Sequence, residues 1–392
     1  MRNLIIGSGI TGLTIGKVLT NKKIGFKILE SQSEIGGRLQ TSLISGHFVD
    51  VGFQVLLRKY PALKLFPEIN ELDFMDMKSG FIIYKNGSFY KILNPLRNIL
   101  GLIYYNKFPG FSLKDKLLLI KILTLSKPLN KEIKTLEYLE EYGFSKTFIN
   151  DFFISFFQGV FLDTKLNVPL DYFLFILRLF SYSKVSIPIG GISKISSVIL
   201  DKIDKNKIIL NTEVIKVLEN KVLCSDGKEI TFDKLICTSH MIEKTFIKKI
   251  NKDIFKDIKY NGTLCFYYLI KINNIEDRII YLFPKSNNIS SLYFKKIKEG
   301  EYLLCISSLN KNCSYLDIEN EIFSYFNKID SIKLLKSFTV NNGLPIMENF
   351  YKYKNKSFMK YSDNIFFAGD FLSTPSLNGA IESGINVSEV IS

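Results

Sequence analysis

The sequence predicts an α/β protein in which a Rossmann-like nucleotide-binding domain is interleaved with a second, mixed α+β domain. Residues 4–6 are an apolar run that ends in a glycine-rich turn, residues 10–20 have a helical pattern, and residues 26–29 (FKIL) predict a second strand. Another apolar run, residues 365–367, is followed by a glycine-marked turn and a helical pattern. Such strand–helix alternation favours a parallel sheet, and its presence at both ends of the chain implies interleaved domains.

Composition excludes several classes of protein. The 392 residues are 46% hydrophobic and 23% charged, which predicts a folded chain of two to three domains. The net charge of +14 comes from 46 lysines and only 6 arginines. Since nucleic-acid binding proteins favour arginine, we expect no nucleic-acid partner, whereas weak attraction to an anionic membrane surface is plausible.

Cysteine and histidine usage argues against a disulfide framework and against a metal site. The five cysteines show no CxxC spacing and the two histidines, His47 and His240, are far apart, so both histidines are expected to be structural. Free cysteines suit a reducing, cytoplasmic compartment. No run of about eighteen apolar residues is present, so we expect at most peripheral membrane association.

The first motif is residues 7–12, GSGITG, between the first strand and the first helix. Gly7 permits a tight turn, Gly9 lets the backbone approach a pyrophosphate, and Gly12 lets the helix pack on the strand. The helix N-terminus then offers N–H groups to the phosphates. Glu30 ends the second strand eighteen residues after Gly12, where a carboxylate accepts hydrogen bonds from a ribose hydroxyl.

The second motif, residues 36–41 (GGRLQT), follows Glu30 closely. Gly36 and Gly37 let the backbone lie against a cofactor, and Arg38 neutralises pyrophosphate charge. A nicotinamide-binding fold has no need of this second element. The motif therefore indicates FAD.

The third motif lies at the far end of the chain, where residues 366–370 (FFAGD) precede residues 375–384 (PSLNGAIESG). Gly369 and Asp370 follow a strand, where ligands of open α/β sheets collect. A helix that begins near Leu377 directs its N–H groups at the N1–C2 edge of a flavin, where reduced flavin is negative. The candidate cofactor contacts on this helix are Leu377, Asn378 and Ala380. The alternative is an ordinary C-terminal packing helix.

Together these motifs resemble the FAD-dependent amine oxidase superfamily, which includes phytoene desaturases and protoporphyrinogen oxidases. The resemblance extends to residues 50–54, 158–163, 187–191, 213–215 and 343–345. It implies a discontinuous FAD-binding domain at 1–70, 187–250 and 345–392, and a substrate domain with a helical insert at 71–186 and 251–344. It also implies that the Val214 backbone meets the adenine and that residues 50–54 pass near the flavin. No cysteine follows Cys313, so FAD is expected to be non-covalent.

Two departures bear on the substrate. Amine oxidases of the superfamily usually place an aromatic residue three positions before the glycine of the final Gly-Ala pair, where this chain has Ser376, and the chain contains no tryptophan. The middle region is crowded with aromatic residues between 152 and 180. It is either a pocket for a flat or polyene substrate or a helical core packed with phenylalanine. The candidate substrate-pocket residues are Gln54, Phe157, Phe161 and Ser376.

The resulting expectation is an FAD-dependent oxidoreductase that desaturates a hydrophobic polyene- or tetrapyrrole-like substrate, with oxygen or a quinone as acceptor. Because the flavin carries the redox chemistry, no side chain is assigned as catalytic. The alternatives are an FAD-dependent amine oxidase and, in another class, a non-catalytic flavin-bearing lipophile carrier. Residues 99–105 with 113–125 form either a monotopic membrane patch or, the favoured alternative, an amphipathic helix facing another domain.

Overall fold

The computed structural model describes residues 2–94, 96–97, 108–124, 133–246, 255, 258–347 and 358–391. The helices in these ranges are α1 Ile10–Asn21, α2 Leu113–Thr124, α3 Thr135–Glu141, α4 Lys146–Phe148, α5 Ser155–Phe161, α6 Leu170–Tyr182, α7 Lys194–Leu200, α8 Tyr315–Tyr325 and α9 Leu377–Ile391. A π-helical segment, Ile149–Ile154, joins α4 to α5. Single turns of 3₁₀ helix occupy Pro61–Leu65, Pro67–Glu71, Lys205–Lys207, His240–Thr245 and Asp370–Leu372.

The strands of the same ranges form five sheets. They are β1 Asn3–Ile6, β2 Phe26–Leu29, β3 Thr41–Ile44, β4 His47–Asp50, β5 Leu56–Leu57, β6 Phe74–Asp76, β7 Gly80–Lys85, β8 Ser88–Leu93, β9 Val185–Pro188, β10 Ile208–Ile209, β11 Val214–Val217, β12 Lys221–Cys224, β13 Glu229–Thr231, β14 Lys234–Cys237, β15 Tyr260–Ile272, β16 Ile280–Leu282, β17 Ser291–Lys298, β18 Glu301–Ser308, β19 Ile329–Pro345, β20 Phe358–Lys360 and β21 Ile365–Ala368.

The sheet that carries the glycine motifs has the strand order β10-β2-β1-β14-β21-β20. Its strands are parallel except for β20, which pairs antiparallel with β21. Every residue of β1 and β21 is buried, as expected of strands covered on both faces. The α/β prediction is confirmed, and the strands of this one sheet come from both ends and the middle of the chain.

The second large sheet has seven strands in the order β19-β15-β18-β17-β16-β7-β8. All neighbours are antiparallel except β16 and β7. The predicted helical insert does not extend over the first part of 71–186, because β6, β7 and β8 lie there. The missed signal was Asn86-Gly87, which has positive φ at both positions and turns the β7–β8 hairpin.

The helices α2 to α6 enclose an aromatic core. Phe148, Phe153, Phe157 and Phe173 have no exposed surface, and successive rings meet edge to face. Most phenylalanines of the middle region are therefore core residues. Residues 98–107, which include the predicted patch at 99–105, lie outside the described ranges, as does Leu125.

A buried ion pair joins the glycine-motif helix to the segment that follows β5. Lys17 on α1 donates to the carboxylate of Glu68, and both side chains are nearly inaccessible. The Lys17 ammonium also lies 5.7 Å from the centre of the Phe66 ring. Among the described helices, none has the length and apolar character needed to cross a bilayer.

Removing one member of this ion pair leaves a buried charge without its partner. We therefore expect Lys17→Met to lower the free energy of unfolding by about 3–5 kcal/mol. The double variant Lys17→Met/Glu68→Leu should recover most of that loss, because it removes both charges. Urea denaturation followed by circular dichroism measures both effects, and equal stability of the two variants would contradict this account.

Candidate functional site

Two helix N-termini converge at the carboxyl end of the parallel sheet. The Thr11 hydroxyl of α1 donates to the carbonyl of Ala380 in α9 at 3.0 Å. A Cβ added to Gly384 of α9 would lie 2.9 Å from the Thr11 carbonyl oxygen, so the two helices are in backbone contact. Because both first turns present N–H groups and a positive dipole end at one place, the arrangement favours an anionic ligand.

The first glycine motif folds as a turn that has no space for side chains. Gly7 has φ of +100°, and a Cβ on Gly12 would lie 2.0 Å from the Gly7 carbonyl oxygen. Gly9 differs from both. The φ of Gly9 is −64°, a value that any residue adopts. A Cβ added to Gly9 would approach only the Cα of Gly37, at 4.0 Å. Gly7 and Gly12 thus make the turn possible, while the space above Gly9 is open to a ligand.

The second glycine motif lies against the first. The N–H of Gly36 donates to the Ser8 carbonyl at 3.0 Å, and Gly9 and Gly36 form a parallel bridge. A Cβ on Gly37 would be 3.1 Å from the Cα of Gly9. The structure therefore brings both glycine motifs together as one backbone cradle, which a Cβ at Gly37 would fill.

The buried carboxylate of Glu30 lies at the end of β2 beside this cradle. It accepts hydrogen bonds from the Ser8 N–H and hydroxyl, both at 2.7 Å, and from the Gln32 N–H at 3.0 Å. The Thr212 N–H donates to the Glu30 carbonyl at 2.8 Å. This bond brings the segment that leads to Val214, the buried first residue of β11, beside Glu30.

An ion pair joins the second motif to the third. Arg38 donates to the buried Asp370 carboxylate at 2.6 Å and to the Gly343 carbonyl at 3.0 Å. Asp370 follows β21, and the N–H of Gly369 donates to the Ser383 hydroxyl of α9 at 2.7 Å. The guanidinium and the carboxylate therefore meet between the glycine cradle and the N-terminus of α9.

Three predicted site side chains hold the backbone in the structure. The Ser376 hydroxyl accepts from the Gly379 N–H at 3.0 Å and so caps α9. The Asn378 side-chain oxygen accepts from the Ala62 N–H at 2.9 Å. Gln54 donates to the carbonyls of Arg38 and Val51, at 2.9 and 3.0 Å. Their contacts with a cofactor or substrate stay predictions.

Asp50 is a residue whose role the sequence did not reveal. Its carboxylate accepts from the Thr41 hydroxyl at 2.6 Å and from the Ile192 N–H at 2.9 Å. Burial raises the pKa of Asp50 above its ordinary value, although both hydrogen bonds and Lys295 act to lower it. Asp50 thereby connects residues 50–54 to the Gly190-Gly191 turn. Both segments are among those that carry the family resemblance.

His240 lies at the edge of the same site. Its ring stacks on Tyr260, with 3.4 Å between Nδ1 and the phenol oxygen, and the Arg38 guanidinium lies 5.9 Å from the centre of the Tyr260 ring. Burial, with Lys244 adding to it, lowers the pKa of His240 to about 4, so the imidazole is neutral at physiological pH. Within the described ranges, no three His, Cys, Asp or Glu side chains are grouped to hold a metal ion.

A cleft lies between the helical region, the end of β19 and the loop before α9. The Tyr172 hydroxyl donates to the Pro375 carbonyl at 2.8 Å and joins two of its walls. Phe161 lines the cleft, whereas Phe157 stacks behind Phe161 at 5.5 Å and is fully buried. The lining residues are Phe161, Asp163, Asn167, Val168, Tyr172, Asn261, Leu344, Pro345, Ile346, Met347 and Pro375.

Comparison with known families gives one match over residues 10–242, more than half of the chain, to the family described as flavin containing amine oxidoreductase. A search of the curated proteins gives no significant match.

Several solved structures share the fold. A fatty acid isomerase from P. acnes that produces CLA has a TM-score of 0.76 and 14% identity, over 99% of this chain and 98% of that chain. Putrescine oxidase bound to putrescine has a TM-score of 0.73 and 12% identity, over 100% and 99%. A protein from Exiguobacterium sp. 255-15, provisionally described as a protoporphyrinogen oxidase, has a TM-score of 0.72 and 13% identity, over 100% and 98%.

The second and third glycines of the first motif, Gly9 and Gly12, should respond differently to alanine. Gly9→Ala has space within the protein, so its melting temperature should change little while FAD affinity falls about tenfold or more, because the methyl group enters the cradle. Gly12→Ala clashes with the Gly7 carbonyl and should be strongly destabilised. Thermal unfolding and a flavin fluorescence titration separate the two effects. Unchanged FAD affinity in Gly9→Ala would exclude this cradle as the pyrophosphate site.

Asp370→Ala should also weaken FAD binding, because it removes a hydrogen-bond acceptor and releases Arg38 from its position. We expect a loss of about tenfold in affinity, which corresponds to about 1.4 kcal/mol. Asp233→Ala, which breaks an exposed ion pair with Arg2, is the matched control and should bind FAD normally. An Asp370→Ala protein with unaltered affinity for FAD would remove Asp370 from the site.

Proposed function

Because the chain belongs to the flavin containing amine oxidoreductase family, we propose that it uses non-covalently bound FAD to oxidise a hydrophobic polyene- or tetrapyrrole-like substrate. The observation that carries this proposal is the cleft, which Phe161, Leu344 and Met347 line and which reaches Pro375, just before α9. Oxygen or a quinone is the expected electron acceptor.

The residues present fit FAD. The cradle of Gly9, Gly36 and Gly37 would take the pyrophosphate, since backbone N–H groups and a helix N-terminus converge there. Glu30 would hold the adenosine ribose, and the Val214 backbone would face the adenine. Arg38 and Asp370 meet where the phosphates and the ribityl chain would pass. When bound, FAD supplies a hydride acceptor at flavin N5.

The N-terminus of α9 would bind the flavin ring through the backbone of Leu377, Asn378 and Ala380. Its N–H groups favour negative charge at the N1–C2 edge and so favour flavin reduction. Ser376 fixes the first turn through its bond to the Gly379 N–H. The proposal of non-covalent attachment rests on the sequence, in which no cysteine follows Cys313.

The cleft would receive the substrate beside this helix N-terminus. Phe161, Tyr172, Leu344 and Met347 present apolar surface, which desolvates an apolar substrate and excludes water from the reacting C–H bond. Phe157 supports Phe161 from behind. The hydrogen bond from the Tyr172 hydroxyl to the Pro375 carbonyl holds α6 next to the loop that leads into α9.

One observation favours the second candidate, an amine oxidase. The Asp163 carboxylate lies in the lining of the cleft and accepts hydrogen bonds from the N–H groups of Lys165 and Asn167, at 2.7 and 3.2 Å. These bonds fix a negative group where a cationic amine would enter. Asn167 and Asn261 also belong to the lining and bring two amide side chains to it. An amine substrate would therefore be oriented by Asp163 rather than by an aromatic cage.

An anaerobic titration tests these candidates. The purified protein should be yellow, and a polyene or a porphyrinogen should bleach its flavin absorbance while a polyamine should not. A colourless protein that fails to take up added FAD would overturn the proposal. Bleaching by the polyamine alone would favour the amine oxidase. Reduction by dithionite but by none of the three substrates would support the lipophile carrier.

Asp163→Asn separates the two enzymatic candidates at the level of one residue. It removes the charge and keeps one acceptor oxygen, which can retain the shorter bond from the Lys165 N–H. If the substrate is apolar, the concentration that half-reduces the flavin should change less than about twofold; if it is an amine, it should rise about tenfold or more. Asp201→Asn, on an exposed helix end, is the control and should change neither value.

A further inference from the structure

Helix α2 has apolar side chains on two faces. On its inner side, Ile122 and Leu123 are buried in the core that also contains Phe148 and Phe157. On its outer side, Leu113, Leu117 and Ile120 are 72%, 60% and 53% exposed. One amphipathic face is enough to dock a helix on its own core, so the second apolar face is not explained by packing.

The outer apolar residues form a narrow stripe with lysines on both sides. At about 100° per residue, Leu113, Leu117 and Ile120 fall within an arc of about 60°. Lys114 and Lys121 lie on one side of that arc and Lys116 on the other. We refer to Leu113, Leu117 and Ile120 with these three lysines as the α2 outer face.

The only acid of this helix points away from the outer face. Asp115 is buried and accepts hydrogen bonds from the Ser112 hydroxyl at 2.5 Å and from the Ser145 N–H and hydroxyl at 2.7 and 2.9 Å. These bonds fix the rotation of α2 on the core. The lysines and the apolar stripe are thereby held toward the outside while the negative charge is kept inside.

The lysine heads on one side lie near aromatic and backbone groups of the next element. The Lys121 ammonium is 5.7 Å from the centre of the Tyr142 ring. The Lys114 ammonium is 3.3 Å from where a Cβ on Gly143 would be, so it lies against the same turn. Long basic side chains that extend sideways from an apolar stripe are typical of helices that lie in a membrane interface.

We propose that the α2 outer face docks the protein on an anionic lipid bilayer, with α2 parallel to the membrane plane. The exposed leucines and isoleucine would enter the boundary between headgroups and acyl chains, while the lysines would contact acidic headgroups. The net charge of +14 complements such a surface. The docking surface is independent of the flavin chemistry, and its test needs no turnover.

A second exposed apolar pair offers a contrast within the same chain. Leu316 and Phe323 on α8 are 54% and 51% exposed. That helix contains Asp317, Glu319 and Glu321 but no lysine or arginine. Exposed apolar surface with negative neighbours should avoid an anionic bilayer. Serine substitutions on α8 therefore control for the loss of exposed apolar side chains as such.

Co-flotation with vesicles tests the proposal. The FAD-loaded full chain should float with phosphatidylglycerol-containing vesicles at low salt and much less with pure phosphatidylcholine vesicles. Leu113→Ser/Leu117→Ser/Ile120→Ser should lower the partition coefficient about tenfold or more, because it removes the inserted apolar surface. Leu316→Ser/Phe323→Ser should leave it unchanged. Thermal unfolding and bound FAD should be normal in both variants.

Charge reversal gives an independent arm. Lys114→Glu/Lys121→Glu should also lower binding about tenfold or more and should reduce its dependence on salt. Wild-type protein that stays at the bottom of the gradient with acidic vesicles would overturn the proposal, as would equal binding by the triple serine variant. A wild-type dimer that the triple serine variant converts to monomer would instead assign the α2 outer face to self-association.

Discussion

The backbone contact between the first helix and the last is the constraint on which the site depends. A Cβ at Gly384 would lie 2.9 Å from both the Thr11 carbonyl oxygen and the Thr14 Cβ, so α9 cannot approach α1 this closely with a larger residue there. The contact sets both helix N-termini at the same end of the parallel sheet. It also places Asp370, just after β21, within reach of Arg38, 332 residues earlier in the chain. Without it, three separate motifs would not form one binding surface.

Much of that surface was predictable because its chemistry belongs to the backbone. Glycines at fixed spacing specify where the chain must turn or approach a ligand, and this requirement is local. Strand β2 has the predicted bounds, Phe26–Leu29, and α9 begins at the predicted Leu377. By contrast, β19 was missed. It is an edge strand of partly exposed residues, and its lysines interrupt the apolar alternation that would reveal a strand.

Side-chain roles within the site were harder to predict, since they depend on which backbone group lies nearby. Ser376 stands where the family resemblance implied an aromatic residue, and its sequence context suggested only a substrate contact. The structure shows that its hydroxyl caps α9, a role that a bulky ring cannot take. Likewise, Gln54 donates its amide hydrogens to the Val51 carbonyl of its own loop and to the Arg38 carbonyl of the second glycine motif. The spacing of residues reveals the type of chemistry, whereas the allocation of hydrogen bonds needs the three-dimensional fold.

The aromatic core connects the two surfaces that the proposals concern. Ile122 and Leu123 of α2 belong to the same cluster of buried residues as Phe161 and Tyr172, which line the cleft. A substrate with no polar group has low solubility in water and concentrates in bilayers. An enzyme for such a substrate would gain from lying on the membrane, and in this protein the cleft and the proposed docking helix share one buried core. If the protein binds acidic vesicles and Asp163 proves unimportant for the substrate, both results favour a lipophilic substrate taken from the bilayer. If Asp163 is required and the protein does not bind acidic vesicles, both results favour a soluble amine substrate.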